Sequence, residues 1–144
     1  MIDDRTIEIR DGVAFRVLSA GRGAPLVWLH SFHDRGGWSP FLDRLAERYA
    51  VHAPFHPGVQ GSRGVERLDD LLDLVLAYDE LLDRLGLDAA HLAGHFFGGM
   101  IAAELAATFP RRAAGLVLVS PLGLWRDDAP PADVVILPAE DLPG

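Results

Sequence analysis

A six-residue frame, Gly94-His95-Phe96-Phe97-Gly98-Gly99, joins an apolar strand, Ala89-Ala90-His91-Leu92-Ala93, to an apolar helix running from about Phe97 to Phe109. A strand that turns straight into a helix holds its apex residue in a strained backbone conformation, and flanking glycines let the two elements approach closely. The frame follows the pattern Gly-x-Ser-x-Gly with phenylalanine at the serine position, and it aims the Phe96 side chain into a cleft. Serine there is a nucleophile, whereas a benzyl group neither attacks a carbonyl nor passes on a proton. A bulky residue at positive φ also carries roughly 1–3 kcal/mol of strain.

The elements around this frame repeat. Thr6 to Arg10 and Val13 to Leu18 alternate in polarity across Asp11-Gly12, a two-residue hairpin signal, so the chain opens with an antiparallel pair. Pro25 to His30 is a nearly continuous apolar run, suited to a strand buried on both faces. Ser39-Pro40 reads as an N-cap with proline at the first helical position, and Phe41, Leu42, Leu45 and Tyr49 fall at helical spacing. Ala50 to Ala53 is a short strand. From Arg67 to Leu85, Leu68, Leu71, Leu72, Val75, Leu82 and Leu85 form an apolar stripe opposite a solvated acidic face, and Gly86 supplies the stop. Gly115 to Ser120 is the last clear strand. A hairpin followed by repeating strand and helix units predicts an α/β fold: a mostly parallel sheet with helices on both faces.

Composition removes whole classes of function. A net charge of −8 without a basic run argues against nucleic acid and anionic membrane partners. All thirteen basic residues are arginine, which excludes Schiff-base chemistry and a phosphate-loop lysine. The absence of cysteine removes thiol nucleophiles, disulfides and thiolate metal sites. The polar N-terminus lacks a signal-peptide run, and the most apolar stretch, His91 to Phe109, contains His95, Glu104 and three glycines, which fits a buried helix rather than a membrane span. The chain reads as soluble and cytoplasmic, without a cofactor.

Three landmarks in order resemble the α/β-hydrolase family over about residues 6 to 125: Leu29-His30-Ser31-Phe32, similar to its His-Gly oxyanion turn; Pro54 to Ser62, similar to its Pro-Gly-rich loop; and Leu92 to Ala102, similar to its nucleophile elbow and small-residue helix. The resemblance implies a hydrolase of ester, acyl or carbon-carbon bonds. It puts Phe96 at the nucleophile position and the backbone N–H groups of Phe32 and Phe97 at the oxyanion-donor positions, which depend on main chain alone. His30 and Ser31 shape the oxyanion turn; Gly94, His95, Gly98 and Gly99 shape the elbow. Ser31 and Gln60 stand where the family usually has glycine.

The family's acid and histidine come from later strands, yet the last histidine here is His95, and Asp127 and Asp128 read better as a solvated stretch than as a displaced acid. The expectation is therefore a substituted, incomplete copy: residues 1–125 as the N-terminal part of a hydrolase core truncated after about the sixth strand, and 126–144 as a proline-rich tail that begins a cap. That tail includes the short apolar run Val134 to Leu137. An uncovered edge at Leu116 to Val119 invites self-association. The alternative is a non-catalytic module that binds a small apolar ligand or a protein partner, with Phe96 filling the old pocket. Among the other serines only Ser31 lies near the cleft, and it has no partner base. A metal at His30-x-x-His33 or His52-x-x-x-His56 is disfavoured, because Pro54 and Pro57 prevent a helix at the second pair. A dinucleotide site is disfavoured because the glycines lack the Gly-x-Gly-x-x-Gly order.

Overall fold

Alternation at the start of the chain produces β1 (Asp3–Glu8) and β2 (Ala14–Ala20), which pair antiparallel with Asp3 opposite Ser19 and Glu8 opposite Ala14. The computed structural model describes residues 1–129 except Asp11, Arg35 and Trp125, so the Val134 to Leu137 run lies outside the described residues. Asp11 of the hairpin signal does too; the Val13 N–H closes the turn on the Arg10 carbonyl.

Four further strands follow: β3 (Ala24–Leu29), β4 (Tyr49–Pro54), β5 (Ala90–His95) and β6 (Ala113–Val119). The sheet order is β1-β2-β4-β3-β5-β6, with β4, β3, β5 and β6 mutually parallel. Helices α1 (Pro40–Ala46), α2 (Leu71–Leu85) and α3 (Phe97–Thr108) connect them.

Adjacent residues on each central strand serve opposite faces, which is why those strands read as continuous apolar runs. Val17, Val27 and Leu92 join α2 and α3 residues such as Tyr78, Leu81, Ile101 and Leu105 in one core. Leu18, Leu26 and Ala93 join Leu42 of α1 in the other. The expected mostly parallel sheet with an antiparallel start and helices on both faces is the fold observed.

Several boundaries differ from expectation. Helix α1 stops at Ala46, and Tyr49 opens β4 instead of continuing the helix; Ser39 is the N-cap residue but its side chain makes no capping bond. Helix α2 begins at Leu71 rather than Arg67, because Val65–Arg67 form a 3₁₀ turn and Asp70, in extended backbone, caps the helix by accepting from the Asp73 N–H. Leu72 consequently faces solvent, while Tyr78 and Leu81, absent from the expected stripe, are buried. At the other end of α2, buried Arg112 pairs with Asp79 at 2.6 Å and also with Asp83, and donates to the Leu87 carbonyl, tying the helix to the start of β6.

The two sheet edges are unlike. Edge strand β1 carries Asp3, Asp4, Arg5 and Glu8, charges that discourage further pairing. Edge strand β6 has no charged residue, and among the described residues nothing covers Leu116, Val117 and Val119, which are 43%, 57% and 42% exposed.

Candidate functional site

The end of β5 runs into α3 through Phe96, whose backbone sits at φ 52, ψ −110. Three hydrogen bonds hold it there: its N–H donates to the Val119 carbonyl, and its carbonyl accepts from the N–H groups of Met100 and Leu122. Small residues make the turn sterically feasible. A Cβ on Gly94 would lie 2.3 Å from the Gly98 carbonyl oxygen, and one on Gly98 would lie 2.1 Å from the Leu29 oxygen and 2.5 Å from the His30 oxygen. Gly98 thus presses α3 directly against the end of β3, beside the turn formed by His30, Ser31 and Phe32.

That contact brings Phe32 and Phe97 side by side. The Phe32 and Phe97 rings stack with centroids 4.0 Å apart and an interplanar angle of 20°, and the Phe96 ring lies 5.4 Å from that of His33. Ser31 is fully buried, and its hydroxyl accepts from the His33 N–H at 3.0 Å. Gln60, at another family glycine position, keeps a left-handed φ of 47.

Beneath the turn lies a polar network that the sequence reading did not anticipate. The His56 N–H donates to His30 Nε2 at 3.0 Å, so neutral His30 carries its proton on Nδ1, which donates to the Ser31 carbonyl at 2.7 Å. His56 Nε2 faces the His30 carbonyl at 2.8 Å and must donate. Its Nδ1 is then left to accept from the Tyr78 hydroxyl at 2.6 Å. Burial, helped by the nearby His30 ring, pushes His56 down to about 4. Burial also lowers His30, against the opposing pull of the Ser31 carbonyl and of Asp34, whose carboxylate is 3.5 Å from Nδ1. The buried Tyr78 hydroxyl is pushed well above its usual range. A buried Tyr at helical spacing from Val75 and Leu82 was the signal available in the sequence.

The remaining candidates are engaged elsewhere. His52 bonds the Ser19 hydroxyl at 3.0 Å, and His56 bonds Tyr78, so this histidine pair does not converge. Among the described residues no three metal-ligating side chains cluster, and no helix is long and apolar enough to cross a membrane. Asp127 and Asp128 are exposed, and Asp128 pairs with Arg126.

Known proteins share this fold. A family model described as alpha/beta hydrolase fold matches residues 24–141. The chain is 36% identical over 115 residues to a dihydrolipoyllysine-residue acetyltransferase component of an acetoin cleaving system from Cupriavidus necator, covering 78% of this chain and 31% of that protein. It is 35% identical over 112 residues to a 2-hydroxy-6-oxo-6-phenylhexa-2,4-dienoate hydrolase from Burkholderia cepacia, covering 73% and 39%. A bacterial membrane phospholipase A structure superposes with a TM-score of 0.77 at 27% identity, covering 86% of this chain and 41% of that one. The chain spans less than half the length of each of these proteins. The model match extends over most of the sequence and includes both the turn after β3 and the turn from β5 into α3. The chain belongs to the α/β-hydrolase family.

Proposed function

We propose that the chain carries the elbow half of a hydrolase lineage acting on ester, acyl or carbon-carbon bonds, and that as written it performs no triad-dependent hydrolysis. The observation that carries this reading is the apex itself: Phe96 occupies the strained elbow position, with its main chain held by three hydrogen bonds, and offers no attacking atom. The N–H groups of Phe97 and Phe32 are the oxyanion donors in this reading, since preorganised main-chain donors need only position. The dienoate hydrolase among the relatives supports the bond class.

Purified chain is expected to turn over p-nitrophenyl butyrate no faster than buffer, with no labelling by a serine-reactive fluorophosphonate; inhibitor-sensitive turnover would sink the proposed inactivity. Phe96→Ser, introduced into this chain joined to the C-terminal segment of the dienoate hydrolase relative, is expected to raise esterase activity by on the order of 10³-fold or more over the same fusion with Phe96. No gain in a folded fusion would count against the lineage reading.

We also propose that β6 pairs with a second copy of the chain, supported by its uncharged edge, which nothing among the described residues covers. Light scattering is expected to show a mass above the monomer that falls to the monomer value in Val117→Lys; an unchanged mass distribution would reject this contact.

A further inference from the structure

Beside the Phe32 and Phe97 stack lies a solvent-open cavity of about 360 Å³, walled by these rings, by Val59 of the loop after β4 and by Leu68, Leu71 and Leu74 around the start of α2. We infer that it binds an uncharged apolar group, an aryl ring on a short neutral chain, and discriminates against carboxylates. This inference rests on the proposed lineage reading and deepens it by naming the acyl class that the site takes.

Size and surface both point that way. A dry cavity of about 150 Å³ lined by aliphatic and aromatic side chains suffices for benzene, so this one accommodates a ring with a short substituent. His56 is on the wall, yet its two ring nitrogens are occupied by the Tyr78 hydroxyl and the His30 carbonyl. A polar group driven deep into the cavity would leave water without a new partner, which is unfavourable.

Charge sets the second half of the selectivity. Among the described residues the charged side chains lining the cavity are Asp69 and Asp70, both exposed and both negative. The Asp70 carboxylate is fixed in place, because it caps α2 through the Asp73 N–H at 2.9 Å. An incoming carboxylate meets these two like charges, whereas a neutral amide or ester meets neither repulsion nor burial of a charge. The −8 net charge of the chain acts in the same direction.

Phenylacetamide and phenylacetate form the test, being nearly the same shape with and without a charge. With ¹³C-methyl-labelled chain at neutral pH, phenylacetamide is expected to shift the Val59, Leu68, Leu71 and Leu74 methyl resonances saturably. Phenylacetate is expected to bind at least tenfold more weakly, with the gap narrowing in Asp69→Asn and in Asp70→Asn, which retains a capping side chain. Leu74→Phe, which fills the cavity, is expected to abolish the shifts while keeping a cooperative melt. Equal binding of the two compounds, shifts confined to other methyls, or no shift in folded protein would each overturn the inference. The outcome is separable from that of the ester assay: a chain that binds with this selectivity yet turns over ester sinks only the inactivity, and an inert chain that binds neither compound sinks only the cavity.

Discussion

Gly98→Ala is expected to abolish the cooperative thermal unfolding transition of this chain. Two effects of opposite sign compete at this position. Gly98 lies in the first turn of α3, where alanine normally gains about 1 kcal/mol of helix propensity. The new methyl carbon, however, would sit 2.1 Å from the Leu29 oxygen, 2.4 Å from the Leu29 carbonyl carbon and 2.5 Å from the His30 oxygen. All three are main-chain atoms at the end of β3, which is held between β4 and β5 and cannot rotate away as a side chain can. Relief therefore requires α3 to leave the sheet or β3 to break its pairing. Overpacking against movable side chains costs about 1–3 kcal/mol; against fixed backbone we expect more than about 4 kcal/mol, in the range that diagnoses a structural conflict. Native domains have only about 5–15 kcal/mol to lose. Gly86→Ala is the comparison, because at φ 73 it has nothing within 4 Å of the added carbon and is expected to cost about 1–2 kcal/mol. Circular-dichroism melts that place Gly98→Ala within a few degrees of the parent would show that the close approach of α3 to β3 is not what holds the elbow.

Acid is expected to destabilise the chain through His56, with stability falling between pH 6.5 and about 4. The folded state keeps this imidazole neutral and depresses its affinity for protons, so in that window the unfolded chain binds the proton and the folded chain does not. Stability is therefore full above the unfolded value, declines as the pH falls, and levels off once both states are protonated. The displacement from 6.5 to about 4 corresponds to about 3 kcal/mol. Structure explains why the proton is unwelcome: it would have to go on Nδ1, opposite the Tyr78 hydroxyl that now donates to it, in a buried site. His30 and His52 are displaced in the same direction, and both add to the slope. In His56→Gln the side-chain amide can donate to the His30 carbonyl and accept from Tyr78 without titrating. Urea midpoints measured across this pH range are expected to be flatter for the variant than for the parent. Parallel profiles would assign the acid sensitivity to other groups.

Those two predictions draw on features that were unequally visible in the sequence. The elbow was legible because its constraint is local: glycine spacing and the switch from an apolar strand to an apolar helix specify the turn, and Phe96 does adopt positive φ. The sheet was legible because strands buried on both faces leave continuous apolar runs, as at Leu26 and Val27. Helix ends were harder. Leu68 fits the period of α2, but Asp70 offers its carboxylate to the Asp73 N–H and starts the helix three residues later than Leu68 would suggest. Tyr49 falls at helical spacing from Leu42 and Leu45, which carried the expected helix past its end at Ala46. The His30, His56 and Tyr78 network was not legible, since its partners are 22 to 26 residues apart and meet only after β3, β4 and α2 have packed. His30 and His56, weighed as metal ligands or loop residues, take another role as buried neutral hydrogen-bonding groups.

The hydrogen bonds that hold residue 96 all belong to its main chain, and the close contacts around it are made by Gly94, Gly98 and the end of β3. The turn's hydrogen bonds thus do not depend on the side chain it displays, although any residue but glycine carries strain at φ 52. Some serine codons lie a single base from a phenylalanine codon, so forms with either residue at position 96 are mutational neighbours on one scaffold. A saturation library at position 96 would therefore vary reactivity while the surrounding architecture stays constant.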